Sequence, residues 1–249
     1  MEKQYVEYTV RDQIVKVLKI EYPINKNDAY LIGRIAGDGS YTFNEKKQFI
    51  RMGFTSKDYN IMKYLKELYC PNTQIIDRSN REININNGYK TYNYKNLESY
   101  ELHFPIRLTE QFSKHGIVCK KQDRVIACIP DNLFSCAMLG FFDSDGSIAV
   151  RHRKDCRTPR LNMILTSSAE KILKHTQRHL ENKLNISCSI YKEKNFSRLK
   201  IENTKKCIEF FDWLYSELPD FFCYKKKNIF DQYMSCVRLG EFREGHNSE

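Results

Sequence analysis

The chain has 249 residues, 41% of them hydrophobic and 29% charged, which supplies one or two packed domains and excludes a chain too polar to bury a core. A net charge of +10 and a pI near 9.1 point to a polyanionic partner. Nine cysteines without a CxxC pair argue against a zinc ribbon or a redox motif and fit a reducing compartment. With no signal-like apolar core and no 18-residue apolar run, the chain is expected to be soluble and intracellular, with no membrane partner.

Residues 1–26 read as a helical lead-in, because Val6, Val10, Ile14 and Val17 fall near helical spacing. Asp28 is the expected N-cap of an apolar helix over 29–36, which Gly37-Asp38-Gly39 stops. A hairpin of 40–44 with 48–55 follows, then a helix over 59–68. Strands at 73–77 and 99–104 flank a long polar connection that carries the turn signal Asn86-Asn87-Gly88, and a helix over 108–115 closes the half. The second half repeats the order. It has a helix over 136–142, a hairpin of 147–153 with 160–165 whose tip is Asp155–Pro159, and a helix over 169–183. Strands at 186–191 and 198–201 and a helix over 204–216 complete it. The expected organisation is an N-terminal extension to residue 27, repeats at 28–130 and 131–236, and a polar tail at 237–249 that is disordered from Gly240.

The two halves match residue by residue. Gly33, Asp38, Gly39 and Ser40 correspond to Gly140, Asp145, Gly146 and Ser147 at an offset of 107. Further on, Met52, Thr55 and Ser56 correspond to Met163, Thr166 and Ser167 at an offset of 111, so four extra residues lie in the second hairpin. Ala29, Gly33 and Gly37 share a helix face, as do Cys136, Gly140 and Ser144. Glycine inside a helix costs about 1 kcal/mol relative to alanine, and a close crossing of two backbones would offset that. The expected helix interface is therefore Gly33, Gly37, Gly140 and Ser144. If the stripes face each other, Asp38 and Asp145 emerge together. Two adjacent carboxylates call for a cation between them, and oxygen ligands suit Mg²⁺. Beside a basic surface, that arrangement suggests metal-assisted phosphodiester hydrolysis.

Basic residues line the predicted strands as a DNA-binding surface. Lys46, Lys47 and Arg51 lie on the first hairpin of the first half, and Arg78 and Arg81 on its second pair of strands. Arg151, Arg153, Lys154, Arg157 and Arg160 lie on the first hairpin of the second half, and Lys192, Lys194, Arg198 and Lys200 on its second pair. Arginines there suit guanine edges and lysines suit phosphates.

The segments LIGRIAGDG (31–39) and MLGFFDSDG (138–146) resemble the nine-residue signature of the LAGLIDADG homing endonucleases, without gaps. The resemblance extends over about 28–234 and is to the single-chain, two-repeat branch. It implies an α+β fold of two pseudo-symmetric αββαββα repeats, with saddle-shaped antiparallel sheets and a central two-helix interface. It also implies a monomeric, site-specific double-strand DNA endonuclease with a long pseudo-symmetric target and short 3′ overhangs. Asp38 and Asp145 occupy the metal-binding eighth position, and Gly37 and Ser144 just before them are the expected companions at the metal. Mg²⁺ is the implied cofactor, with Mn²⁺ able to substitute and Ca²⁺ supporting binding without cleavage. The family's active-site lysine falls in VCKKQ and CYKKK, so the candidates are Lys120 or Lys121 and Lys225 or Lys226. Ser56, Ser167 and Lys171 are candidates for a water network. The sixth position departs from the pattern in one copy, being Ala36 against Asp143, and Arg34 stands at a usually apolar place. The alternatives on this scaffold are an intron RNA maturase and a catalytically idle DNA-binding protein.

Overall fold

The computed structural model describes residues 5–10, 13–18, 24–44, 49–79, 82–86, 91–95, 98–151 and 159–239. Two compact units form. One comprises Met1–Pro23 and Asp38–Lys114, the other Ile24–Gly37 and His115–Glu249. Compactness thus divides the chain differently from a boundary at residue 130, because the first signature helix packs with the second half.

In the first unit, β1 (Tyr5–Val10) pairs antiparallel with β2 (Gln13–Leu18). The helical lead-in expected over 1–26 is therefore incorrect. YVEYTV and QIVKVL are rich in valine, isoleucine, threonine and tyrosine, which favour strands, and this outweighs the helical spacing of four apolar residues. The main sheet contains β3 (Ser40–Asn44), β4 (Phe49–Ser56), β5 (Ile75–Asp77) and β8 (Tyr100–Phe104), in the order β3-β4-β8-β5. The polar connection folds into a second hairpin, β6 (Glu82–Asn86) with β7 (Thr91–Lys95). Helices α2 (Tyr59–Tyr69) and α3 (Ile106–Lys114) cover one face of the main sheet, where Met52, Phe54, Leu102 and Phe104 are buried. Asp58 starts α2 by accepting the amides of Asn60 and Ile61 at 3.0 and 3.3 Å.

In the second unit, α1 (Lys26–Asp38, through Gly37) lies with α4 (Phe134–Asp145). The cap of α1 is Asn25, not Asp28. Asn25 Oδ1 accepts the Asp28 amide at 3.0 Å while Asp28 Oδ2 accepts the Asn25 amide at 3.3 Å, a reciprocal capping box. The sheet contains β9 (Gly146–Arg151), β10 (Arg160–Ser167), β11 (Ser189–Lys192) and β12 (Ser197–Ile201), in the order β11-β12-β10-β9. Leu161, Met163 and Leu165 alternate inward along β10 towards α4, α5 (Glu170–Leu184) and α6 (Thr204–Leu214). Phe142, Phe210 and Phe211 fill the space between α4 and α6 with edge-to-face ring contacts. A further helix, α7 (Tyr224–Leu239), carries the chain into the region expected to be a polar tail from residue 237. The hairpin tip expected at 155–159, apart from Pro159, and the tail from Gly240 lie outside the described residues.

Candidate active site

The crossing of α1 and α4 is a contact between backbones. A Cβ placed on Gly33 would stand 1.8 Å from the Ala137 carbonyl oxygen, and one on Gly140 would stand 2.0 Å from the Tyr30 carbonyl oxygen. At Gly37 it would meet Ser144 Cβ at 2.4 Å and Asp145 Cγ at 3.4 Å. Ser144 Oγ donates to the Arg34 carbonyl at 3.0 Å, so the fourth interface residue ties the helices by a hydrogen bond. The small-residue stripe therefore lets the last turn of α1 reach the Asp145 carboxyl group.

Each signature helix ends in its acid. Asp38 closes α1 and is exposed, whereas Asp145 closes α4 with only 16% of its side chain exposed. Among the candidate lysines, Lys121 brings its Nζ to 3.3 Å from Asp145 Oδ2. Lys120 and Lys225 are exposed. Lys226, in the first turn of α7, donates to the carbonyls of Phe142 at 2.5 Å and Asp143 at 2.9 Å.

Sequence reasoning missed the counterpart of Lys226. Arg124 is 1% exposed and donates through Nη1 to the carbonyls of Ile35 at 3.1 Å and Ala36 at 3.2 Å, and through Nε to Val118 at 3.0 Å. Ile35 and Ala36 hold the fifth and sixth signature positions, as Phe142 and Asp143 do in the other copy. In both repeats, then, a cation from a later segment binds the same two carbonyls at the end of the signature helix. A helix C-terminus leaves carbonyls unsatisfied and carries partial negative charge, which disfavours a carboxylate there. The two cations offset both effects next to the acids. The one signal for such a residue is this general requirement, since a buried helix end needs donors from elsewhere in the chain, and it does not single out Arg124.

The sixth-position acid has a structural setting. Asp143 Oδ2 accepts from Tyr30 Oη at 2.7 Å and from the Cys223 amide at 2.9 Å. Burial raises its pKa above the ordinary carboxylate value, against the opposing pull of the Cys223 amide and of Arg34. Burial likewise raises the Tyr30 phenol well above its usual value, and Asp143 adds to the rise. Arg34, at a usually apolar place in the signature, is itself buried and acts electrostatically on both.

The predicted DNA-binding residues fall into distinct places. In the second sheet, Arg151, Arg160, Arg198 and Lys200 share the face opposite the helices, by the register of β9, β10 and β12. Lys192 instead faces Glu170 on α5 at 3.8 Å, and Lys194 lines a cavity of about 440 Å³ with Lys171 and Lys174. Arg78 pairs with Glu101 at 2.8 Å. Arg51 lies in β4, while Lys46, Lys47, Arg81, Arg153, Lys154 and Arg157 lie outside the described residues. The proposed water-network serines start helices. Ser56 Oγ accepts the Asp58 amide and Ser167 Oγ accepts the Ala169 amide, both at 3.1 Å.

A divalent cation fits the donor chemistry of the signature ends in part. Among the described residues no three His, Cys, Asp or Glu side chains group as metal ligands. Each signature end by itself offers hard oxygen donors, the Asp38 carboxylate after the Gly37 backbone and the Asp145 carboxylate after the Ser144 backbone. Such a set suits Mg²⁺ over a softer metal and leaves coordination for phosphate and water.

Residues 138–234 match the family described as LAGLIDADG endonuclease. Comparison with curated protein sequences finds no match. Solved structures similar in fold include the LAGLIDADG meganuclease I-CpaMI bound to uncleaved DNA, at 13% identity and TM-score 0.53, with 87% of this chain and 92% of that one covered. Mesophilic variants of the homing endonuclease I-DmoI align at 17% identity and TM-score 0.52, covering 83% and 97%. The homing endonuclease I-WcaI bound to its DNA recognition sequence aligns at 15% identity and TM-score 0.50, covering 82% and 84%.

Proposed function

We propose that the chain is a two-repeat member of the LAGLIDADG endonucleases, whose family model its second half matches, and that it is a site-specific double-strand DNA endonuclease that uses a divalent metal. The observation that carries the reading is the glycine-to-backbone crossing of α1 and α4, with an aspartate ending each helix. A purely structural turn needs neither the close approach nor both acids.

Asp38 and Asp145 would hold Mg²⁺, which supplies a Lewis acid and an activated water for phosphodiester hydrolysis. Lys121, beside Asp145, sits where it can stabilise charge developing on the phosphate. Arg124 and Lys226 are positioning residues that fix the helix ends from which the acids project. The outer sheet faces bind the duplex, with Arg151, Arg160, Arg198 and Lys200 in the second unit. One chain with unequal halves reads a pseudo-symmetric target as a monomer.

The test is cleavage of a plasmid carrying the sequence that flanks the gene, with and without Mg²⁺. Asp38→Asn and Asp145→Asn are each expected to abolish double-strand cleavage while gel-shift affinity persists. Undiminished cutting by both single variants overturns the two-acid mechanism. Tight, metal-independent binding with no cutting by the unaltered chain assigns it to an idle DNA-binding role, and preference for intron RNA over duplex assigns it to a maturase.

A further inference from the structure

The outer faces of the two sheets carry opposite chemistry at matched positions. In the first unit, Gly53 on β4 pairs with His103 on β8, and Thr55 pairs with Glu101. In the second, Ile164 on β10 pairs with Lys200 on β12, and Thr166 pairs with Arg198. The repeat offset of 111 takes Gly53 to Ile164 and Thr55 to Thr166. Glu101 therefore stands where the other repeat has Arg198, and His103 where it has Lys200. The strand neighbours of all four, Leu102, Phe104, Leu199 and Ile201, are buried beneath the sheets, so the four side chains lie on the outer faces.

Glu101 is held firmly. Its Oε2 takes Arg78 Nε at 2.8 Å, and its Oε1 lies 3.1 Å from His103 Nε2. The cluster closes over a notch, since a Cβ on Gly53 would lie 3.2 Å from Ser40 Oγ, 3.3 Å from Glu101 Oε1 and 3.3 Å from His103 Nδ1. Glycine inside a strand often marks such a close approach. Ser40 follows Asp38 by two residues, which places the notch at the start of the strand that leaves the acid.

A carboxylate on the DNA-facing side of a protein with a net charge of +10 opposes phosphate binding. Its use there is as an acceptor. Arg78 and His103 engage two of roughly four lone-pair directions of the carboxylate and leave the others for a donor. In the major groove the base donors are the exocyclic amino groups of cytosine and adenine, and acidic side chains characteristically accept from cytosine N4. Arg78 next to the acceptor supplies donors for the guanine of the same pair, so a C·G pair matches the two together. At the matched place in the second unit, Lys200 Nζ lies 4.8 Å above the Tyr191 ring and Arg198 Nη1 lies 3.1 Å from Glu193, which leaves donors for a guanine edge.

We propose that Glu101, braced by Arg78 and His103 over Gly53, is a specificity-determining residue that selects an amino-bearing base, cytosine first, in one half of the target. Arg198 and Lys200 select guanine at the equivalent place in the other half. This rests on the DNA-reading function above and states where the two half-sites must differ.

The test is gel-shift selection from a randomised duplex library in Ca²⁺ buffer. It compares the full unaltered chain with Glu101→Gln, Glu101→Ala and Arg198→Ala, each checked for an intact thermal melt. The unaltered chain is expected to enrich one long motif. Glu101→Ala loses about tenfold or more of the base preference at one position in one half, with the rest of the motif kept, and Glu101→Gln, whose amide pairs with adenine, shifts that position from cytosine towards adenine. Arg198→Ala loses a guanine in the other half. If the Glu101 variants do not fold, Gly53→Ala crowds the same three side chains without changing charge and alters the same position. Glu101 variants that keep the full motif, or that weaken binding evenly at unchanged base preference, overturn the proposal. A library from which the unaltered chain enriches nothing overturns the site-specific function itself, a result distinct from an enriched motif indifferent to Glu101.

Discussion

Arg124 shows how much one side chain supports in this molecule. It is buried, and its guanidinium serves three carbonyls. Arg124→Met keeps the bulk and removes the donors. Leaving buried acceptors unmet costs about 1–3 kcal/mol each, so a loss of about 3 kcal/mol and a fall in Tm of roughly 6–12 °C are expected in a calorimetric scan. Asp143 offers a second test, read against pH. Its pKa is raised in the fold, so its contribution to stability is full below the unfolded value near 3.8 and is lost as pH rises through the folded value. Asp143→Asn keeps an acceptor for Tyr30 and Cys223 and does not titrate. Its Tm relative to the unaltered chain should therefore improve as pH goes from about 4 towards 7, and a flat difference would contradict the buried, raised acid. The acids and glycines were legible in the sequence because they recur at one offset in both halves. Arg124 and Glu101 were not, because Arg124 answers to a lysine in the other copy and Glu101 to an arginine. Identity matching cannot recover a role that is kept by a different residue type.

Among the elements, the α1–α4 crossing tolerates little change. In Gly33→Ala or Gly140→Ala the new methyl meets a backbone carbonyl at 1.8 or 2.0 Å, which no rotamer change relieves. Overpacking a core typically costs about 1–3 kcal/mol and here has only backbone to push against, so the upper end is expected, read as a lower midpoint in a urea melt. Gly53→Ala meets only side-chain atoms at 3.2–3.3 Å and should be milder. The order of helices and strands along both repeats was legible from apolar periodicity and turn residues. The exceptions include the β6–β7 hairpin within the polar connection, the β1–β2 hairpin and α7. The β1–β2 hairpin has apolar residues that satisfy helical and strand spacing together, and strand propensity decided between them. The polar stretch Tyr224–Leu239 forms α7 although its sequence reads as charged, because Phe230 and Tyr233 bury one side of it and Lys226 anchors its first turn on α4.

At the level of the whole molecule, charge and connectivity set behaviour. A net charge of +10 spread over both halves predicts binding to duplex that falls steeply with salt. If about six to ten phosphates are neutralised, affinity should drop roughly 10³–10⁵-fold between about 50 and 200 mM salt, measured by fluorescence anisotropy, and a flat profile would exclude these faces as the DNA surface. Connectivity has a temporal side. The bond from Tyr30 to Asp143 joins residues 113 apart. On a ribosome adding about 5–20 residues per second, α1 emerges on the order of ten seconds before the helix that covers it. During that interval its apolar length has no partner, and a chain cut short never provides one. Synthesis to near completion is thus a condition of assembly, and an abandoned nascent chain would be released as an exposed greasy helix for the quality-control machinery to remove, with only one of its two acids made.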